Sequence, residues 1–369
     1  MLKFSKLNIL TTTLLSIIVI FFTISNFTDF DDEYLNKKIN LGLDLQGGSY
    51  LLLKIDNDPV VIKELQNKAV SIKTIFKEQK INIYNIKVTD EKKIIFSVNK
   101  KDIEKVNELL NDKNETINPY FDQFKSFQFD VTNQGENFNM LFSKYGLIRL
   151  KTSSLDQAIE IVRRRVDEVG TNEPNILKRG NDRILVELPG LDDPMRIKNL
   201  LGKTANLSFR FITQNSEETF GSEELEFEDG SEVAKVSKRI IVSGENLVDA
   251  QPRMDNQTNE TVVTFDFDRL GAKRFGRATT KGVGKRLAIV LDGKVISAPV
   301  IQEAIVAGSG QISGDFTFQS ATDLALLLRS GALPAPLEII EERTVGPGLG
   351  QDSIKSGLLA LVIGFVLVI

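Results

Sequence analysis

Uncharged segments mark both ends of the chain. Residues 7–27 contain no charged side chain, and roughly 21 residues at 1.5 Å each reach ~30 Å, the thickness of the hydrocarbon core of a bilayer. Residues 357–369 are apolar to the last position. The pattern predicts transmembrane helix 1 at 7–27 and the start of transmembrane helix 2 at 354–369, so that the chain ends inside the second helix.

Charges on either side of the first apolar segment predict its orientation. Lys3 and Lys6 precede the segment, and an acidic run from Asp29 follows it. Because cationic flanks stay in the cytoplasm, residues 1–6 should be cytoplasmic, and residues from about 32 to 352 should lie on the other side of the membrane. The alternative is a cleaved signal peptide, which the length of the apolar stretch and the absence of a small-residue cleavage site disfavour.

Between these segments, strand and helix patterns alternate. In the stretch LGLDLQGGSYLLLKID, residues 41–56, Leu alternates with other positions before Gly47 and Gly48, and the apolar run that follows predicts a strand at 49–56. Residues 59–79 carry apolar positions at spacings of three and four, which is typical of a helix. The further predicted elements are strands at 81–88 and 93–98, a helix at 101–111, a second pass beginning at 146–150, a helix at 154–169, strands at 175–179 and 183–188, a helix at 193–201 and a strand at 205–212.

The two passes align element by element, and each reads as βαββα with a further strand expected. This repeat predicts an α+β fold class, with ferredoxin-like (βαββαβ-type) units between transmembrane α-helices. A third strand and helix pattern occupies 261–280, and a helix at 319–330 and a strand at 336–343 follow it. The apolar positions of the helix at 154–169 should face a sheet, and they are Ala158, Ile161, Val162 and Val166.

Composition removes most kinds of active-site chemistry. The 369 residues include no Cys, His or Trp, which excludes thiolate and disulfide chemistry and removes the usual general base and the commonest metal ligand. Lys and Arg number 46 against 50 Asp and Glu, a net charge of −4, which predicts no basic surface for nucleic acid or for an anionic membrane. We therefore predict a protein that is not an enzyme, has no cofactor or metal, and does not bind nucleic acid.

Two runs of charge could be sites, and we interpret both as structural. Arg163, Arg164 and Arg165 could bind an anionic ligand, but helical spacing spreads them over about 200° of the helix surface, which favours a solvated face. Glu341 and Glu342 lie in a strand pattern, where consecutive side chains point to opposite faces and cannot share a proton or a metal.

Several sequence blocks together resemble the SecD/SecF family of bacterial translocase subunits. They are LGLDLQGGSYLL, AIEIVRRRVDEVGTNEPNI, ILVELPG, LAIVLDGKVISAPVI and the block from ISGDFTFQ to GPGLGQDSI. The resemblance covers residues 1–369 except for a less familiar insertion at about 57–145. It implies a multi-pass protein of the bacterial inner membrane, in the resistance-nodulation-division superfamily, with a large periplasmic region. One departure is Gly348, where the family more often has Ser.

The resemblance also implies a function. Such a protein is an auxiliary subunit of the Sec translocase that uses the proton-motive force, with SecF, to promote release and forward movement of exported polypeptides on the periplasmic side. The implied partners are SecF, the SecYEG channel, a translocating unfolded polypeptide and membrane lipid. The proton-carrying carboxylate of the family lies beyond Ile369, so no proton-relay residue can be assigned. The alternatives are an efflux transporter of the same superfamily and a membrane-anchored periplasmic scaffold or binding module.

Glycine-rich stretches lie next to both apolar segments. Glycines there can act as hinges between the periplasmic region and its anchors, or they can let a strand pack closely, and both interpretations stay open. The family-motif and hinge candidates are Gly42, Asp44, Gly47, Gly48, Glu342, Arg343, Gly346, Pro347 and Gly350.

A surface that holds unfolded polypeptide needs an apolar groove or a free sheet edge, because these attractions tolerate many sequences. Residues 214–235, rich in Glu, Ser and Gly, mark an internal boundary, and the resemblance places a head subdomain after it. The polypeptide-binding candidates there are Ile241, Val242, Leu247, Val295, Ile296, Val300 and Ile301. The alternative is that these positions are ordinary core strands.

The predicted domain organisation follows from these points. The segments are a cytoplasmic N-terminus at 1–6, transmembrane helix 1 at 7–27, a periplasmic base at 32–213 with the insertion at about 57–145, a periplasmic head at 214–318, a return to the base and membrane connector at 319–352, and the start of transmembrane helix 2 at 354–369.

Overall fold

Helices and strands alternate along the chain. The computed structural model describes residues 6–25, 47–171, 174–190, 194–213, 221–255, 259–345 and 347–368. Its α-helices are α1 (Lys6–Ser25), α2 (Asp58–Glu78), α3 (Ile103–Asn111), α4 (Lys144–Val169), α5 (Pro194–Gly202), α6 (Arg269–Lys281), α7 (Phe318–Ser330) and α8 (Pro347–Val368). Short 3-10 helices lie at Lys100–Asp102 and Gly244–Asn246.

The strands confirm the predicted α+β class. They are β1 (Gly48–Ile55), β2 (Ile83–Val88), β3 (Lys93–Val98), β4 (Tyr120–Phe121), β5 (Ser126–Phe127), β6 (Phe129–Gln134), β7 (Asn137–Phe142), β8 (Asn175–Arg179), β9 (Arg183–Pro189), β10 (Leu207–Phe211), β11 (Ser222–Glu226), β12 (Val233–Ser237), β13 (Val242–Ser243), β14 (Leu247–Met254), β15 (Thr261–Phe267), β16 (Leu287–Leu291), β17 (Lys294–Ser297), β18 (Ser309–Phe316) and β19 (Leu337–Val345).

A central sheet joins distant parts of the sequence. Its strand order is β19-β1-β9-β8, and every neighbouring pair is antiparallel. Leu51 and Leu53 of β1 and the inward residues of β9 pack against α4 and α5 in one buried cluster. The prediction that one face of the helix at 154–169 packs on a sheet is confirmed, because this cluster contains Ala158, Ile161, Val162 and Val166.

Two long insertions interrupt this sheet. In chain order the unit reads β1, α4, β8, β9, α5 and β19. Residues 56–143 lie between β1 and α4, and residues 203–336 lie between α5 and β19. We call the central sheet with α4 and α5 the base, residues 56–143 the insertion and residues 203–336 the head.

The insertion forms a folded unit of its own. Besides the strands predicted at 81–88 and 93–98, it contains β4, β5, β6 and β7. A sheet of order β2-β3-β7-β6 packs against α2 and α3 around its own core. Asn118 supports the fold from inside: its side chain donates to the carbonyls of Leu110 (2.9 Å) and Phe129 (3.1 Å) and accepts from the Phe129 amide (2.9 Å).

Two details of the predicted repeat are wrong. The strand at 48–55 pairs with β9 of the second pass and with β19 near the end of the chain, and not with β2 or β3, because strand patterns fix element type but not the partner. Residues 146–150 begin no strand; they lie in α4, which starts at Lys144. The side chain of Ser143 caps this helix by accepting from the Gly146 amide at 3.0 Å, and such a cap stabilises a helix start.

The head has its own core between small antiparallel sheets. The sheets have the orders β13-β10-β16-β17, β14-β15-β18 and β11-β12. Four phenylalanine rings, those of Phe209, Phe265, Phe267 and Phe275, contact one another in the core with centroids 5.1 to 6.3 Å apart. Helices α6 and α7 cover this core.

Helices occupy both uncharged segments of the sequence. Helix α1 covers most of residues 7–27, and α8 begins at Pro347, earlier than the predicted start at 354, because proline suits the first turn of a helix. Among the residues described, none of the helices combines the length and the apolarity that crossing a membrane requires.

Candidate functional site at the ends of the central sheet

The glycine pair lies where β1 begins. Gly47 and Gly48 have φ values of +73° and +134°, a region that residues with a side chain rarely adopt. Gly48 pairs with Val345 on one side and with Pro189 on the other, and the Gly190 amide donates to the Gly47 carbonyl at 3.0 Å. The sheet therefore holds this backbone in place, which favours the packing interpretation, while a hinge role stays a prediction.

The two ends of the β1–β19 pair connect to different parts of the chain. At one end Gly48 pairs with Val345, two residues before α8, and the chain arrives there from α1. At the other end Ile55 pairs with Leu337. Here the chain enters the insertion after β1 and returns from the head into β19. Seven steps of about 3.3 Å separate these ends by ~23 Å. The pair is thus the direct link between the start of α8 and the head.

Glu342 and Arg343 point to opposite faces of this link. Glu342 lies opposite Leu51, and its carboxylate accepts from Lys198 Nζ on α5 at 2.9 Å. Arg343 lies opposite Tyr50, with its guanidinium carbon 5.9 Å from the ring centroid. Glu342 thus ties β19 to a helix of the base, and Arg343 covers the outer face of the sheet.

The remaining glycine-motif candidates lie around this end. Gly42, Asp44 and Gly346 fall outside the described residues. Pro347 and Gly350 lie in the first turn of α8.

Arg165 is placed differently from our prediction of a solvated face. It is 1% exposed, and its Nη1 donates to the carbonyls of Leu200 (2.7 Å) and Lys203 (2.5 Å) at the end of α5. Its Nη2 donates to the carbonyls of Thr204 (3.3 Å) and Gly331 (3.2 Å). The prediction is wrong for Arg165 because the last carbonyls of a helix lack partners within the helix and attract a cation.

Arg165 therefore joins three segments at the junction of base and head. Burial lowers the pKa of its guanidinium to about 10, and nearby Asp292 opposes this shift, so the group is a cation at neutral pH. Its carbonyl partners lie on both chain crossings between base and head, at 203–204 and at 331.

Asp292 completes this junction from the head. Its carboxylate accepts from the amides of Ala205 (3.0 Å) and Asn206 (2.8 Å) and from the Thr204 hydroxyl. The Leu333 amide donates to the Thr204 carbonyl at 2.8 Å. The two crossings are thus bonded to each other as well as to Arg165.

Two ion pairs continue the contact between base and head. Arg196 of α5 lies 2.8 Å from Asp323 of α7, and Glu168 of α4 lies 2.5 Å from Arg329 of α7. The base thus holds α7 through opposite charges on two of its helices, in addition to the contacts of Arg165.

The structure separates the predicted polypeptide-binding residues into two groups. Val242, Val295 and Ile301 are buried in the head, so the prediction that they offer a binding surface is wrong; their β-branched side chains fill the core. Ile241, Leu247 and Ile296 are half-buried against that core, and Val300 is exposed. For these last four residues, contact with polypeptide stays a prediction.

A large open cavity lies beside the junction. Its volume is about 740 Å³, and it is bounded by the end of α5, the turn after β11, the residues after β17, the end of β18 and one side of α7. Its lining mixes the apolar side chains of Phe227, Ile296 and Leu327 with the carboxylates of Glu228 and Asp315. Within the described part of the chain, no cluster of three or more Asp or Glu side chains is placed to hold a metal ion. These surfaces can bind and orient a partner.

Family comparisons cover three parts of the chain. Residues 35–59 match the SecD/SecF GG motif, residues 155–214 match the N-terminal part of the P1 domain of protein translocase subunit SecDF, and residues 221–335 match the SecDF P1 head subdomain.

Individual relatives extend the match to almost the whole chain. Protein translocase subunit SecD of Rickettsia bellii (strain RML369-C) is 40% identical over 372 residues, which is 98% of this chain and 70% of the relative. SecD of Acetobacter pasteurianus (strain NBRC 105184 / IFO 3283-01) is 40% identical over 341 residues, 90% of this chain and 64% of that one. A crystal structure of SecDF in a super-membrane-facing form is 26% identical with a TM-score of 0.51, and the match covers 97% of this chain and 38% of that one.

Fold and site together define an α+β protein in which a base sheet carries a separate head at the end opposite the start of α8. The glycine pair at the start of β1 lies within the matched GG motif, and the head lies within the matched P1 head subdomain. The chain belongs to the SecD family of protein translocase subunits.

Proposed function

We propose that this chain is an auxiliary subunit of the bacterial Sec translocase which uses the proton-motive force, with SecF, to promote release and forward movement of exported polypeptides on the periplasmic side. Membership of the SecD family supports this function. The observation that carries it is the register of the β1–β19 pair, which joins the terminal helices to the head through one antiparallel ladder.

This register supports a mechanical role. β1 is bonded along most of its length to both β19 and β9, so bending it would break hydrogen bonds on two sides. A displacement of the helices at the Gly48 end would therefore move the base as a body. Because Arg165 and the ion pairs of α7 hold the head to the base, the head would follow that displacement.

We further propose that the chain is anchored in the inner membrane, with residues 1–6 cytoplasmic and the region from about 32 to 352 periplasmic. The absence of charge in residues 7–27 and the lysines before them support this orientation. Protease added to inverted membrane vesicles should then spare the base and the head. Digestion of the base in intact inverted vesicles would overturn the orientation.

The base is best interpreted as a ferredoxin-like unit with two insertions. Its chain order β-α-β-β-α-β and its antiparallel strand order, in which the first strand lies between the fourth and the third, support this interpretation. The proposed role is non-enzymatic, and the proposed partners are SecF, the SecYEG channel and the translocating polypeptide.

The head is the proposed contact for that polypeptide. The cavity beside α7 and the exposed side chains of Ile240, Val248 and Val300 support this role, because apolar contact tolerates many sequences. A photo-crosslinking residue at each of these three positions should capture a stalled export substrate. The matched control is Val70 in the insertion, which is also exposed; capture at Val70 alone would contradict the assignment to the head.

A further inference from the structure

The outer side of α6 carries a concentration of positive charge. The helix contains no carboxylate, and its cations are Arg269, Lys273, Arg274, Arg277 and Lys281. All of them are exposed, and none forms an ion pair in the part of the chain that the structure describes. At 100° per residue they cover a sector of ~140° of the helix. This is a local excess of cations in a chain whose net charge is −4.

A groove runs along this cationic side. It has a volume of about 370 Å³ and lies between α6 and residue 306, with Ala272, Gly276 and Val306 among its lining residues and Lys273, Arg277 and Lys281 on α6 beside it. We call the five cations of α6 together with Val306 the α6 face.

Close packing fixes the shape of the groove. A Cβ atom on Gly276 would lie 3.3 Å from the Val306 Cα, and one on Gly308 would lie 2.4 Å from the Ala272 Cβ, so glycine at both positions lets the loop approach the helix. The Thr279 hydroxyl accepts from the Ile305 amide at 3.0 Å. The loop is thus bonded to α6, and it holds Val306 outward with 74% of its surface exposed.

Apolar side chains lie among these charges. Leu270 and Val283, within and just after α6, are each 52% exposed, and Val306 lines the groove. Cations that surround exposed aliphatic side chains are typical of helices that lie in the interface of an anionic membrane, where the cations bind phosphate and the aliphatic groups enter the headgroup boundary. The α6 face consists of a helix and a loop, so it offers no strand edge for backbone pairing with a polypeptide.

We propose that the α6 face binds the headgroups of anionic phospholipids and so docks the head on a membrane surface. The proposal relies on the proposed membrane anchoring only for bringing the head near a bilayer. Each lysine or arginine close to an anionic surface strengthens the association about fivefold. Removing three of them should therefore lower the ratio of docked to undocked head by about a hundredfold.

Because the chain contains no native cysteine, a single introduced cysteine can be labelled without background. An Ala307→Cys variant of the full chain, labelled with a fluorophore, is reconstituted into nanodiscs that contain nitroxide-labelled lipid. Discs with phosphatidylglycerol are compared with discs of phosphatidylcholine alone. The test variant adds Lys273→Ser, Arg277→Ser and Lys281→Ser. The matched control instead adds Lys238→Ser, Arg239→Ser and Lys294→Ser, which remove the same charge from exposed positions elsewhere in the head.

We expect quenching of the label in phosphatidylglycerol discs, little in phosphatidylcholine discs, loss of quenching in the test variant and retention in the control. Equal quenching in both lipids, or equal loss in both triple variants, would overturn the proposal. A label that responds to poly-glutamate but not to phosphatidylglycerol would assign the face to acidic polypeptide instead. Failure of the chain to enter discs would argue against the proposed membrane anchor. Quenching of the same label is then measured with added vesicles of the same lipid composition, and this measurement decides whether the α6 face binds anionic lipid.

Discussion

Arg165→Met is expected to loosen the junction between base and head while the rest of the chain stays folded. Methionine keeps a long apolar side chain but cannot donate to the carbonyls of Leu200, Lys203, Thr204 and Gly331. A hydrogen bond to a charged group contributes about 1.5–3 kcal/mol, and a buried carbonyl left without a partner costs about 1–3 kcal/mol. Two of the four contacts are short, so the gross loss is several kcal/mol.

Burial of the cation offsets part of this loss. The lowering of the pKa of Arg165 by burial to about 10 corresponds to a cost of ~3 kcal/mol for keeping the charge inside. Methionine does not carry that cost. Subtracting this cost from the gross loss of several kcal/mol leaves an expected net loss of ~3 kcal/mol in the local stability of the junction.

Hydrogen exchange of the full chain, read by mass spectrometry, measures this loss. A change of ~3 kcal/mol corresponds to about a hundredfold faster exchange of the Leu333 amide, which donates to Thr204. Arg164→Met is the matched control, because Arg164 is the exposed neighbour on the same helix. Exchange in the insertion core reports whether the variant remains folded. Unchanged protection at Leu333, or the same change in both variants, would refute the assigned role of Arg165.

Three further changes test separate features of the fold. Gly48→Val forces a β-branched side chain to φ +134°, which should lower the free energy of unfolding in urea by about 1–3 kcal/mol. Gly202→Ala is the control, because a Cβ there meets open space and should be tolerated. Equal effects of the two changes would contradict the strain argument. Asn118→Ala removes three buried hydrogen bonds and should lower the local stability of the insertion by ~2 kcal/mol or more. Hydrogen exchange in the insertion should then be faster, whereas exposed Asn114→Ala should leave it unchanged. Hydrogen bonds from the Gly271 amide and the Asn246 side chain lower the pKa of Asp268. The ionised carboxylate should therefore stabilise the folded protein above about pH 4, the ordinary range of the group, and this stabilisation should disappear as the pH falls through the lower pKa of the folded state. If Asp268→Ala destabilised the protein equally at pH 6 and pH 3, this reasoning would be contradicted.

Local periodicity predicted the elements of the base, apart from the first turns of α4, but not how the strands pair. Apolar spacing in the helix at 154–169 correctly indicated which side faces the sheet, because burial of that side is decided within the segment. The pairing of Gly48 with Val345 joins residues almost 300 positions apart, and no local pattern contains it. Strands β2 and β3 of the insertion were predicted, but β4 to β7 were missed because many polar residues conceal the alternation of β6 and β7.

The burial of Arg165 could have been predicted from helical spacing, but the run of three arginines argued against it. It lies four residues after Ile161 and seven after Ala158, on the buried stripe of α4, so helical spacing alone places it inside. The Arg-Arg-Arg run suggested instead a single solvated face. Its partners are backbone carbonyls of two distant segments, which carry no sequence signal. The cations of the α6 face, in contrast, all lie on one helix, and their charge is readable directly from residues 269–281.

The most direct test of the central claim is release of a completed export substrate from the membrane of living cells. When the protein containing this chain is depleted, we predict that mature-length substrate accumulates at the periplasmic face of the membrane while insertion into the channel continues. Restoring the wild-type protein or Arg164→Met should restore release, and Arg165→Met should restore it only weakly, since the head is then poorly held. Normal release during depletion would contradict the assigned function, and full restoration by Arg165→Met would contradict the coupling of base and head.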